Sequence, residues 1–268
     1  MMWARNVPAL VAVARMQMRI FYTYRANAVF AMLLTGVQIY LLTVIWKAAY
    51  GDRTEVDGIT IGQLLVYLTL ANLQLRFLRP EMDEDIQERI RQGQIGFDLS
   101  RPVGYPSQLM AGAVGDMIAG LPLLLVGFPV AYIAGELRGP ASLEAGLGYA
   151  AALILAWVVA ALLNLLIGLI SFWTVEMNGF RMIYTLVGNF ATGALVPLWF
   201  MPDALRNVIQ LLPFQAIAFI PVSIYVGEPA TGALWSALLL QAMWAGILML
   251  FIRWVWSRAF RHTVIQGG

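Results

Sequence analysis

Long apolar stretches without Asp, Glu, Lys or Arg alternate along this chain with short charged ones. The charge-free runs are 26–46, 58–75, 117–135, 145–175, 182–202, 207–227 and 229–252. Each reaches or approaches the roughly 20 residues an α-helix needs to cross a hydrocarbon layer. The run at 207–227 differs, because Pro213 and Pro221 lie inside it. Proline removes a backbone donor and breaks a straight helix, so this run predicts a re-entrant or interfacial hairpin. Six spans are expected, over 26–47, 58–76, 107–135, 146–173, 182–201 and 229–253, with the hairpin over 203–227.

The basic residues separate six spans from seven. With six, one side of the membrane holds 13 of the 17 basic residues; with seven, it holds 10. Arg and Lys concentrate in cytoplasmic loops. Six spans with both termini cytoplasmic and the 203–227 hairpin at the outer face is therefore the expected arrangement.

Two polar elements stand outside the spans. Over 7–24, Val7, Leu10, Val11, Ala14, Met18 and Phe21 share one helical side, with Arg15 and Arg19 on another. Such a helix lies in the headgroup layer or packs on the chain's own spans; the interfacial position is the expected one. The second element is an island, 76–101, with 11 of the chain's charged residues. Within it, 81–92 predicts a helix. Pro80 suits the first turn, and Asp83, Glu84 and Asp85 precede Arg89 and Arg91, as the macrodipole favours. Gly93 is placed to end it, and Met82, Ile86 and Ile90 form one apolar stripe. Beyond it Ile95, Phe97 and Leu99 alternate with other residues up to Arg101. Two readings fit: a surface offered to a soluble partner, or a solvated loop whose stripe packs on the span ends.

Composition narrows the chemistry. The chain is 60% hydrophobic and 12% charged, with mean hydropathy +0.75, against about 25% charged in soluble domains. It has no cysteine and one histidine, His262, which argues against histidine or thiolate metal sites and Ser-His or Cys-His catalysis. A net charge of +2 gives no sign of nucleic-acid binding. Lys47 is the only lysine and follows a span, so no G-x-x-x-x-G-K-[ST] phosphate loop exists. If ATP drives this protein, another chain hydrolyses it.

Three segments resemble the ABC-2-type export permeases, in particular a bacterial six-span group of ABC-2 family transporter proteins. The first is 90–103, a helix end, Gly93, alternating apolars, then Leu99-Ser100-Arg101-Pro102-Val103. The second is Phe172-Trp173 followed by Glu176. The third runs from Gly193 through Pro197-Leu198 and Pro202 to Leu212-Pro213-Phe214, Pro221 and Gly227. The resemblance implies an all-α membrane protein of six transmembrane helices with an N-terminal interfacial helix. It also implies a cytoplasmic coupling helix between spans two and three and an extracellular re-entrant hairpin between spans five and six. It further implies a permease subunit of an exporter in the bacterial cytoplasmic membrane, working with two ATP-binding subunits and a second permease. ATP and Mg would then sit on the partner, with no cofactor on this chain. The coupling role falls on Asp83, Asp85, Ile86, Glu88, Arg89, Ile90 and Arg91, with Asp98 and Arg101 supporting the following turn. Glu176 joins them as a smaller contact.

Polar residues inside the spans are candidates for a translocation path or for helix–helix hydrogen bonds. They are Asn72, Gln74, Asp116, Asn189 and Thr192, with Asn164 beside them. Asp116 also suits an interfacial acid paired with an arginine. A secondary transporter buries several ionisable groups, and here Asp116 stands almost alone. A non-transporting anchor for an ATPase also fits. The apolar character suggests an amphipathic or lipid-like cargo.

Overall fold

The computed structural model describes residues 2–78, 80, 82–174, 176–228 and 232–262, excepting the side chains of 2–6, 261 and 262. Arg79, Glu81 at the expected start of the charged helix, Val175, and 229–231 at the expected start of the sixth span lie outside the described residues.

The chain opens with α1 (Met2–Thr23), which turns at Tyr24 into α2 (Arg25–Tyr50). A two-residue ribbon follows, pairing Glu55 with Thr60 and Val56 with Ile59 across Asp57 and Gly58, both at positive φ. This is the Asp-Gly turn whose twist matches a hairpin. Then come α3 (Ile61–Leu78), α4 (Met82–Arg91), α5 (Ile95–Leu99), α6 (Tyr105–Gly120) and α7 (Leu124–Ala134). The last two are joined by a 3-10 turn around Pro122. The expected span 107–135 is thus a bent pair, as an internal proline requires. The chain continues through α8 (Leu143–Ile170), α9 (Asn178–Ala191), α10 (Asp203–Gln210), α11 (Phe219–Tyr225) and α12 (Leu234–His262).

Among the described residues, five helical runs are long and apolar enough to cross a membrane: Arg25–Tyr50, Ile61–Arg91, Tyr105–Ala134, Leu143–Ile170 and Leu234–Phe260. The run expected as a fifth span, 182–201, differs. Its helix, α9, has 14 residues, which rise about 21 Å against a hydrocarbon core of about 30 Å. The cause is local. Gly193 adopts φ +80°, a conformation that ends a helix. A side chain there would also meet the Leu198 side chain at 2.8 Å and the Tyr67 hydroxyl at 2.9 Å.

The hairpin beyond it folds back into the helix bundle. In α11, Phe219, Ile220, Pro221, Val222, Ser223 and Ile224 are all buried. Broken backbone at membrane depth persists only where its polar groups find partners. Gln74 on α3 donates to the Ile217 carbonyl at 2.9 Å, and Gln241 on α12 donates to that of Ala216 at 2.8 Å. Tyr67, Trp199 and Phe219 meet edge to face beside them, with centroids 5.0–6.1 Å apart.

At the opposite end α1 lies along α6. A Cβ at Gly115 would sit 2.3 Å from the Ala14 carbonyl oxygen, so the two backbones touch. Of the two positions open to this helix, the structure places its Ala14 side against the chain's own α6, while Val7 and Val11 stay exposed.

Candidate functional site

The charged island folds as α4, α5 and the turns around them. Helix α4 carries Asp83, Glu84 and Asp85 in its first turn and Arg89 and Arg91 in its last. Gly93, at φ +71°, ends it. The Gln94 amide donates to the Arg89 carbonyl and the Gly93 amide to that of Ile90, the paired bonds of a Schellman cap.

One side of α4 is buried: Met82, Asp83, Ile86 and Gln87. It presses on α8 where a glycine leaves room. A Cβ at Gly168 would come 2.4 Å from Ile86 Cδ1 and 3.0 Å from Asp83 Cα. Asn164, one turn earlier on α8, grips Asp83 twice. Its Nδ2 donates to the carboxylate at 2.8 Å and its Oδ1 accepts from the Asp83 amide at 3.1 Å.

Arg181, in the first turn of α9, completes the clamp. Its Nε lies 2.9 Å from Asp83 Oδ2, its Nη1 lies 3.0 Å from Glu84 Oε1, and its Nη2 donates to Gln87 at 2.6 Å. A buried carboxylate persists only when paired and hydrogen-bonded, and Asp83 is both. Asp98 on α5 forms a second knot. Arg89 reaches it at 2.7 Å and Arg101 at 3.3 Å, while Gln108 donates to its carbonyl at 3.0 Å.

Of the residues expected to couple to the partner, Asp83 and Ile86, with Asp98 in the supporting turn, are buried within the chain, where they hold the island to α8, α9 and α6. Arg89 and Ile90 are half-buried, and Asp85, Glu88, Arg91 and Arg101 are exposed. Glu88 is hydrogen-bonded to Gln92. Glu176 is exposed in the α8–α9 connection, where its carbonyl accepts from Thr174. Phe97 is 76% exposed, an aromatic ring held outward between Glu88, Arg91 and Ser100 in sequence. In the sequence it belongs to the alternating apolar tract 95–99, where no motif marks it. Its signal was an aromatic next to Gly96 in an otherwise polar surface.

A family model described as ABC-2 family transporter protein matches residues 32–267. The chain belongs to that family. No curated protein matches it. Membership makes it a membrane component of an ABC transporter, which works with a separate ATP-binding subunit and is not itself the ATPase.

In this permease the span residues named for a path fall into two groups. Asn72, Gln74 and Thr192 are buried. Asn72 donates to the carbonyls of Leu68 and Ala194 and accepts from Gln38. Gln74 accepts from the Tyr149 hydroxyl while its amide holds the hairpin. The Thr192 hydroxyl donates to Asn189, and its carbonyl accepts from the Phe219 amide. These three fasten the hairpin to the spans, and Thr192 also borders a small cavity. Asn189 is half-buried and borders the same cavity, of about 30 Å³. Asp116 is half-buried on the wall of a cleft of about 550 Å³.

Proposed function

We propose that this chain is the permease subunit of an ATP-driven exporter in the bacterial cytoplasmic membrane, moving an amphipathic or lipid-like molecule. Its α4–α5 surface docks in a groove of the ATP-binding subunit, and both termini are cytoplasmic. Two permease subunits and two ATPase subunits make the working unit, with ATP and Mg held by the latter.

The observation that carries this reading is the pairing of an exposed knob with a clamped base. Phe97 points outward with Glu88 and Arg91 nearby in sequence, while Asp83, Ile86 and Arg181 fix the same segment to α8 and α9. Exposed aromatics with flanking charge are typical interface anchors. A base this well fixed suits the passing of motion. Closure of the ATPase subunits moves their grooves, the island follows as a rigid piece, and the spans shift between two arrangements.

The test is co-purification with the ATPase subunit encoded beside it. Phe97→Asp, or Glu88→Arg with Arg91→Glu, should weaken association at least about tenfold, the loss of one interface anchor. Wild-type association by all of these variants would refute the docking surface.

A further inference from the structure

A cleft of about 550 Å³ runs beside the docking surface, within the range of small-ligand sites. Its floor is one face of α6. Tyr105, Gln108, Gly112, Asp116 and Gly120 line it and recur every three or four residues, as one helix face requires. That face is about 22 Å long. Helix α1 with Gln17 and Phe21 forms one wall, and the end of α3 with Arg76 and Phe77 forms another.

The cleft changes character along its length. At the α5 end, Arg89 and Arg101 are both engaged by Asp98. At the other end, Phe21 and Phe77 each come within 3.9 Å of where a Gly120 Cβ would be, and Met32 and Leu123 extend the apolar lining. Two donors on its walls have no partner among the described residues. Arg76 makes no ion pair there. The Tyr105 hydroxyl is buried without a hydrogen bond. Of the other charged groups in the lining, Glu84 pairs with Arg181, Asp98 pairs with Arg89 and Arg101, and Asp85 and Asp116 each have an interaction of their own. Arg76 is thus the charged group of the lining with no partner among the described residues.

We infer that this cleft binds one membrane amphiphile bearing a phosphate, with its head on Arg76 and its hydrocarbon against Phe21, Phe77 and Met117. A guanidinium takes two phosphate oxygens at once. The aromatic end suits an acyl chain and would be poorly filled by a free anion. The inference depends on the exporter reading only for which leaflet supplies the molecule.

The test is photolabelling of the full chain in nanodiscs with phosphatidylglycerol carrying a diazirine in one acyl chain. Labels should fall on Met117 and Phe77 above the level at Ile154, which is 69% exposed on α8. Arg76→Gln should cut cleft labelling about tenfold, the loss of one charge-assisted contact. Gly112→Phe should abolish it. A Cβ at Gly112 meets nothing within 4 Å, so this change fills the cleft without pressing on backbone. Gly112→Ala should keep the labels, and both variants should keep labelling at Ile154.

A diacylglycerol probe of the same chain length should label the cleft about tenfold less, having no phosphate for Arg76. Excess glycerol 3-phosphate should not protect, because it lacks the chain. Equal labelling by diacylglycerol, unchanged labelling in Gly112→Phe, or protection by glycerol 3-phosphate would each overturn the proposal. Phe97→Asp separates the two readings: loss of the ATPase should leave the labelling intact.

Discussion

Arg181 carries more of the island's architecture than its place in a short connection suggests. It contacts Asp83, Glu84 and Gln87, so Arg181→Met leaves the buried Asp83 carboxylate with Asn164 alone. Breaking a buried pair from one side costs about 3–5 kcal/mol. The expected result is a lowered thermal unfolding midpoint, partly restored when Asp83→Asn is added. If the double variant unfolds no later than the single one, Arg181 does not act through Asp83. Gln74 is a second such residue. Gln74→Leu strips the Ile217 carbonyl of its donor and orphans the Tyr149 hydroxyl. A cost of about 1–3 kcal/mol per group follows, measurable as earlier detergent-induced unfolding.

The helices meet where glycines let backbones approach. Gly168 seats α4 on α8, and Gly115 seats α1 on α6. Gly168→Val would drive Ile86 and Asp83 away from α8. Trypsin should then cut after Arg89 or Arg91 sooner than in the wild type, and an unchanged digestion rate would mean that α4 is held elsewhere. Much of this layer is legible in the sequence. The end-charges of α4, its terminating Gly93 and its apolar stripe all appear as read. What the stripe packs against is not legible, because Gly168 and Asn164 lie some 80 positions away. The same limit applies to Asp98. An acid in a charged tract reads as solvated, and only the return of Gln108, Arg89 and Arg101 to it makes it an inward knot. The run at 182–201 shows a different limit. Charge-free length does not reveal where Gly193 turns the backbone, and hydrophobic turns look like span.

At the scale of the molecule, the proposed pairing with a second permease subunit can be tested at α9. Helix α9 is too short to span alone, and Met182, Ile183, Leu186 and Val187 leave one flank exposed. The chain has no cysteine, so Leu186→Cys gives a clean probe. Oxidation in membranes should yield a dimer through α9, whereas Ile154→Cys on α8 should not. A strictly monomeric Leu186→Cys product would count against pairing along α9. A reporter fused beyond α12 should report the cytoplasm, and an external signal would reverse the proposed orientation.

One consequence concerns α9 itself. Arg181 ties its first turn to α4, and the Phe219 amide ties its far end to the hairpin through the Thr192 carbonyl. Between these ties one flank, with Met182, Ile183, Leu186 and Val187, is exposed, while Tyr184 on another packs against Phe214 of the hairpin, ring centroids 5.9 Å apart. A short helix fastened at both ends carries axial displacement from one tie to the other. Displacement of the island should therefore reach the hairpin almost undiminished, with α9 as the tie-rod. Spin-label distances from Glu88 to Asp203, taken with and without nucleotide on the assembled transporter, should stay constant while those between the two copies change. If the distance within one copy changes by as much as the distance between copies, α9 bends and the rod is broken.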